Sequence, residues 1–243
     1  MKFILLLLAS HLFSQTESCS LSNIELVNSR SIYSVGDTLS FEDQNMLYDV
    51  CNGNGDYQTG DSFPLIDFNG SHNGGDYNIM LISMNATWWP ACYDYISLMD
   101  QIIEVMQDYE NVKFFVSLDY SSNEADLYTC NEWANLYQEL GDYNNNPLII
   151  DGDPNHNIWN MFAGSTYSAY AIIDHNMVLR YKFDMPNLYD FQFIYIPALI
   201  ESMYGCTDSN ACNYEPGSVY DDDSCQYEAE CDSCNDALNQ LDC

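Results

Sequence analysis

The feature that most constrains this chain is an apolar run, Asn78-Ile79-Met80-Leu81-Ile82-Ser83-Met84, followed closely by a proline and a helical periodicity. The run has the length and residue types of a buried strand. Pro90 suits the first position of a helix, where a missing N–H is no loss. Beyond it Cys92, Ile96, Met99, Ile103 and Met106 recur at 4-3-4-3 spacing, which gives the helix one apolar face and puts Cys92 on it. The local order is therefore strand, tight turn, buried helix.

Further elements follow. Val112-Lys113-Phe114-Phe115-Val116-Ser117-Leu118-Asp119 reads as a second strand, and Pro147-Leu148-Ile149-Ile150-Asp151 as a short apolar segment. Ala169–Asp174, the turn residues His175-Asn176 and Met177–Lys182 read as a hairpin, with a last helix from about Leu188 to Met203. Thr129-Cys130-Asn131-Glu132 is a capping-box pattern, which starts a helix with Cys130 in its first turn and lowers the pKa expected of that thiol.

The loop Thr87-Trp88-Trp89-Pro90-Ala91-Cys92 resembles the active-site loop of the thioredoxin superfamily. There a Trp-Cys-x-x-Cys motif joins a central strand to such a helix, the first cysteine attacking disulfides and the second resolving. Trp88 matches the family tryptophan, Trp89 stands at the attacking cysteine and Cys92 at the resolving one. The resemblance runs from about Gly60 to Tyr204, nearest the secreted redoxin or thioredoxin-like branch with an N-terminal extension. It implies a three-layer α/β/α sandwich, with Gly164 capping the helix after Asp151 and 169–182 as the terminal hairpin. It also places Ser168 where the family carries a cis-proline. A non-proline cis bond costs roughly 3 kcal/mol, so a trans bond and a differently shaped groove are expected. Indole cannot replace a thiolate, so loss of dithiol exchange is expected as well. Peroxiredoxins place a proline and a threonine where this chain has Asn85 and Trp89, which leaves peroxide activation at Cys92 without polar support.

Met1-Lys2 followed by Phe3–Ala9 reads as a secretory signal, with cleavage near Ser14, and is too short to span a bilayer. Ten cysteines in an exported chain imply disulfides. The simplest assignment pairs Cys19 with Cys51 and joins Cys206, Cys212, Cys225, Cys231, Cys234 and Cys243 among themselves. Cys92 and Cys130 remain, either as a relocated redox pair, as one structural disulfide or as two buried thiols. A net charge of −32, from 37 acidic against 5 basic residues, excludes ordinary nucleic-acid or anionic-membrane binding. A saline, calcium-containing exterior would tolerate it, and solubility alone would also account for it.

The resemblance and the change of composition at Gly205 together divide the chain into a signal peptide (1–18), an N-terminal extension (19–59), the thioredoxin-like domain (60–204) and a cysteine-rich acidic module (205–243). The extension holds two strand-like pieces, Ser31–Val35 and Asn45–Cys51. The last module, opening Gly205-Cys206-Thr207-Asp208 and reaching Asp221-Asp222-Asp223-Ser224-Cys225, resembles a repeat of secreted microbial proteins. So short a core needs staples, which makes Asp208, Asp221, Asp222 and Asp223 candidate calcium ligands and Cys231-x-x-Cys234 a weaker zinc candidate. Asp151, Asp153, Asn155 and Asn157 imitate half a calcium loop, but His156 and Phe162 replace its required glycine and acid. Asn69-Gly70-Ser71 and Asn85-Ala86-Thr87 match glycosylation sequons. No other cofactor is indicated. The expected function is that of a secreted or periplasmic binding or scaffold protein with a degenerate active site. Its partner would be an unidentified protein or a cell surface; a separate reading gives the tail a surface-attachment role. The alternative is a thiol-disulfide oxidoreductase or thiol peroxidase using Cys92, alone or with Cys130.

Overall fold

The computed structural model describes residues 33–119, 128–151, 156–163, 169–185 and 187–227. Its seven-stranded sheet contains β1 (Leu47–Asn52), β2 (Ser62–Pro64), β3 (Ile79–Ala86), β4 (Val112–Asp119), β5 (Leu148–Asp151), β6 (Ala169–Ile173) and β7 (Leu179–Phe183). Their spatial order is β2-β1-β5-β4-β3-β6-β7. The three central strands are parallel, with Ile79 opposite Val112 and Ala86 opposite Asp119. The flanking hairpins join antiparallel, β1 on β5 and β6 on β3. The apolar run is continuous because all eight residues of β3 are buried, as a central parallel strand covered on both faces must be.

Period-two alternation divides the core. Met80, Ile82 and Met84 of β3 face Phe63, Leu65, Phe115, Trp159 and Phe162 on one side. Ile79 and Leu81 face Ile96, Met99, Ile103, Trp133, Tyr137, Ile196 and Leu199 on the other. The second layer is built by helices α1 (Pro90–Asp94), α2 (Ile96–Met106) and α3 (Cys130–Leu140), while α4 (Asn157–Phe162) covers the opposite face. The result is a thioredoxin-like α/β/α sandwich. The helix after Pro90 divides at Tyr95, whose φ of −89° and ψ of −3° end α1 and begin α2. The last helical run likewise starts at Leu188–Asp190, widens into a π-helical turn at Phe191–Tyr195 and closes as Ile196–Glu201. Pro197 explains the wide turn: it offers no N–H to the carbonyl four residues back, and its ring crowds that carbonyl.

The N-terminal extension pairs differently from expectation. Asn45–Cys51 supplies β1, but Tyr33–Val35 is no strand. Instead Gly36 N–H donates to Leu179 O (2.8 Å), Leu39 N–H to Met177 O (2.9 Å), and the Tyr33 hydroxyl bonds Asp43 and the Ser40 N–H. At the other end, Tyr204–Gly205 pairs in parallel with Tyr220–Asp221, and the Val219 and Tyr220 N–H groups both donate to Met203 O at 2.9 Å. Tyr220 packs edge-on against Tyr77, and His175 Nε2 meets Gly217 O at 2.8 Å. The first half of the cysteine-rich tail is thus seated on the sandwich through shared hydrogen bonds rather than standing apart from it.

Candidate functional site

The parallel register brings the C-terminal ends of β3 and β4 to one edge, and the Trp89 loop is built there. Thr87 N–H donates to Asp119 O (3.0 Å), Trp89 N–H to Ala86 O (3.1 Å) and Cys92 N–H to Trp89 O (3.0 Å), so the chain turns tightly into α1. Pro90 is the first helical residue and Trp89 the capping position. Cys92 is the third helical residue and only 1% exposed. The Ala86 N–H points at its Sγ from 3.4 Å. Trp88 packs partly buried on one core face and meets Trp89 edge-to-face at 6.1 Å, while Trp89 itself is 41% exposed.

Around Cys92 the interior contains polar groups that periodicity did not single out. Burial first, and then electrostatic coupling to Tyr170, Cys92 and Asp100, holds the Tyr137 phenol well above its ordinary pKa. Its hydroxyl and Asn85 Nδ2 have no hydrogen-bond partner among the described residues, although Asn85 Oδ1 accepts from Ser83 at 3.3 Å. Tyr137 stays protonated at neutral pH and cannot serve as a base for the thiol. Asp100 is fully buried and accepts from the N–H groups of Tyr143 (2.7 Å) and Asn145 (2.8 Å), fastening the segment after α3 to α2. A charged residue beside Met99 on an apolar helix was the available signal. Its partners lie 43 and 45 residues away, beyond local reading.

Cys130 occupies the first position of α3, and the capping box forms as its spacing predicted: Thr129 Oγ1 accepts from Glu132 N–H, and Glu132 accepts from Thr129 N–H at 2.7 Å. The Thr129 N–H bond to the Glu132 carboxylate, and after it the bond donated to the same oxygen by the Thr129 hydroxyl, lower the Glu132 pKa. The expected cysteine pairing is corrected here. Cys51 is bonded to Cys130, with a Cα separation of 6.1 Å, and therefore not to Cys19, which lies outside the described residues. The physical reason is topological: β1 pairs antiparallel with β5, Val50 opposite Ile150 and Asn52 opposite Ile149, which sets Cys51 in the part of the sheet on which α3 packs. Cys92 and Cys130 share one side of the core but are not joined, and Cys92 remains a thiol outside the bridges. The relocated Cys92–Cys130 pair is thereby overturned.

In the tail Cys206 is bonded to Cys225, and Cys212 is also disulfide-bonded. Asp208 accepts from Asn210 N–H and Nδ2 and from the Tyr227 hydroxyl. Asp221 accepts from Asp223 N–H and Thr207, and Asp222 from Ser224 N–H. Hydrogen bonds of this kind lower the pKa of Asp208, mainly through Asn210, and of Asp222, mainly through Ser224. Among the described residues no group of three or more His, Cys, Asp or Glu side chains converges on a cation position. Cys231, Cys234, Cys243, Asp153, Asn155, Gly164 and Ser168 lie outside the described residues, and the described ones contain no cis peptide bond. Both sequon asparagines, Asn69 and Asn85, are buried, so the folded chain offers neither to a glycosyltransferase.

No protein-family model matches the chain, and no curated protein matches it significantly. Among solved structures it is similar to a secreted disulfide oxidoreductase from Mycobacterium tuberculosis, at 11% identity over 63% of this chain and 96% of that one, with a TM-score of 0.44. It is similar also to the thioredoxin domain of a thiol-disulfide oxidoreductase from Bacteroides vulgatus, at 10% identity over 70% and 99%, with a TM-score of 0.46. An exposed lipoprotein thioredoxin from Streptococcus pneumoniae aligns at 18% identity over 64% and 98%, with a TM-score of 0.42.

Proposed function

We propose that this is an exported thioredoxin-fold binding protein whose Trp89–Cys92 loop has given up dithiol exchange. The observation that carries the reading is the exchange of exposure across the loop. The position resembling the attacking thiol holds Trp89 at 41% exposure, whereas the one thiol of the loop, Cys92, is 1% exposed. A thiolate must reach a disulfide sulfur along its axis, and a side chain enclosed by Ile96, Met99 and Tyr137 has no such approach. A half-exposed indole instead suits contact with a partner, since it contributes a large, rigid apolar area at small entropic cost. Export is supported by the signal-like residues Met1–Ala9 and by the bridges Cys51–Cys130 and Cys206–Cys225, which persist in oxidising compartments. No helix among the described residues is long and apolar enough to cross a membrane.

The test is reduction of insulin disulfides by the purified protein with dithiothreitol as electron source. The unmodified chain should show no turnover that depends on Cys92, and Trp89→Cys, which restores a Cys-x-x-Cys spacing at the start of α1, should add measurable turnover. Turnover by the unmodified chain that disappears in Cys92→Ser would establish the oxidoreductase reading instead.

A further inference from the structure

The bond joining Cys51 to Cys130 differs in kind from the bridge in the tail. Both have one buried and one partly exposed half: Cys130 is 6% exposed and Cys206 1%, whereas Cys51 and Cys225 are partly exposed. Only the first has its buried sulfur on the opening residue of an eleven-residue helix. The unpaired N–H groups and the positive end of the peptide dipoles at that position stabilise a thiolate. The Glu132 carboxylate in the same turn works against this, but it is engaged by Thr129 N–H and Oγ1. Trp133, one turn on from Cys130, is fully buried, and its Nε1–H has no hydrogen-bond partner among the described residues.

A disulfide opens fastest when the attacked sulfur is accessible and the leaving sulfur has a low pKa. In Cys51–Cys130 both conditions select the same direction. We propose that this bond is an exchangeable disulfide, a thiol-accepting site distinct from the Trp89 loop. An incoming thiolate bonds to Cys51 Sγ, the Cys51–Cys130 bond breaks, and Cys130 leaves with the electron pair as a thiolate at the N-terminus of α3. If the donor is a dithiol, its second thiolate attacks the donor sulfur of the mixed disulfide, Cys51 leaves as a thiolate, and the donor departs as a disulfide. The balance is then one dithiol oxidised to a disulfide and Cys51–Cys130 reduced to two thiols, with two electrons and two protons transferred. The substrate class is therefore an exposed cysteine thiol or dithiol of another protein. Tyr128, just before α3, stacks on Tyr93 of α1 at 6.0 Å.

The experiment uses the oxidised full chain and reduced glutathione as the monothiol probe. Samples are quenched with acid, alkylated and mapped by peptide mass spectrometry. The Cys51–Cys130 bond should open at least about tenfold faster than Cys206–Cys225, with glutathione transiently on Cys51 and Cys130 recovered as the alkylated thiol. Glutathione carried on Cys130, or opening no faster than the tail bridge, overturns the proposal. As a second measure, Cys51→Ser leaves Cys130 as a thiol, whose alkylation rate should reach half its maximum below the ordinary cysteine value of about 8.5. A midpoint at or above that value also overturns it. Neither result bears on insulin reduction through the Trp89 loop, so the two readings fail separately.

Discussion

Two helices at one edge of the sheet begin with a cysteine in the first turn, and their contrast locates the chemistry of this protein. In α1 the cysteine is the third residue, turned into the core and 1% exposed, behind an exposed Trp89. In α3 it is the first residue and bonded across to Cys51 at the end of β1. Both sulfurs feel a helix N-terminus, yet only the second belongs to a bond that an outside thiol can approach, through its partner's sulfur. A helix dipole is therefore not enough to make a cysteine reactive; the position within the first turn decides whether its sulfur faces solvent, a partner or the core.

The largest effect that sharpens this contrast concerns stability. The Cys51–Cys130 bond closes a loop with a sequence separation of 79, so Cys51→Ser with Cys130→Ser should lower unfolding free energy by about 2–5 kcal/mol in urea titrations. Next comes the anchor between the two helices. A Cβ on Gly141 would sit 2.4 Å from Asp100 Cγ and from Tyr137 O, so Gly141→Ala should cost about 1–3 kcal/mol, read by the same titration. Cys92→Ala removes one buried sulfur and should cost only about 1 kcal/mol while leaving the glutathione opening of Cys51–Cys130 unchanged. If that variant slows the opening, the two cysteines are chemically coupled and the contrast fails.

A smaller effect is expected from pH. Glu132 has its folded-state pKa lowered by the capping bonds, so its contribution is complete above the ordinary glutamate range and is lost as pH falls through the folded value. Glu132→Gln should accordingly be less stable than the parent at neutral pH and indistinguishable from it at the acid end, measured by thermal unfolding. The smallest effect is assigned to calcium. The carboxylates of Asp208, Asp221 and Asp222 are taken up by turn hydrogen bonds, so millimolar calcium should leave the unfolding midpoint where it is. A concentration-dependent rise abolished by Asp208→Asn would establish the calcium site that the aspartate pattern suggested.

What the sequence made legible was local. The run at 78–84, the 4-3-4-3 spacing after Pro90, the 169–182 hairpin and the Thr129 capping box all became the expected elements, because each is specified within a few residues of itself. Cys51–Cys130 was not legible, since it depends on which strand β1 joins, and nothing in Leu47–Asn52 names β5 as its neighbour. Asp100 was missed for the same reason. The π turn before Pro197 was different: the proline was visible, but only the packed helix reveals that the preceding turn widens instead of ending. At the Trp89 loop the identity of every residue was available, and the burial of Cys92 followed from its helical position.

The central claim is that the Trp89 loop holds a thiol that the folded protein keeps from reacting. Its most direct test is iodoacetamide labelling of the native oxidised chain, quantified at the Cys92 peptide against the same chain in denaturant. The account predicts negligible native labelling of Cys92 and complete labelling once the fold is lost. Native labelling at a rate within a few fold of the denatured chain would contradict it and return Cys92 to the catalytic candidates.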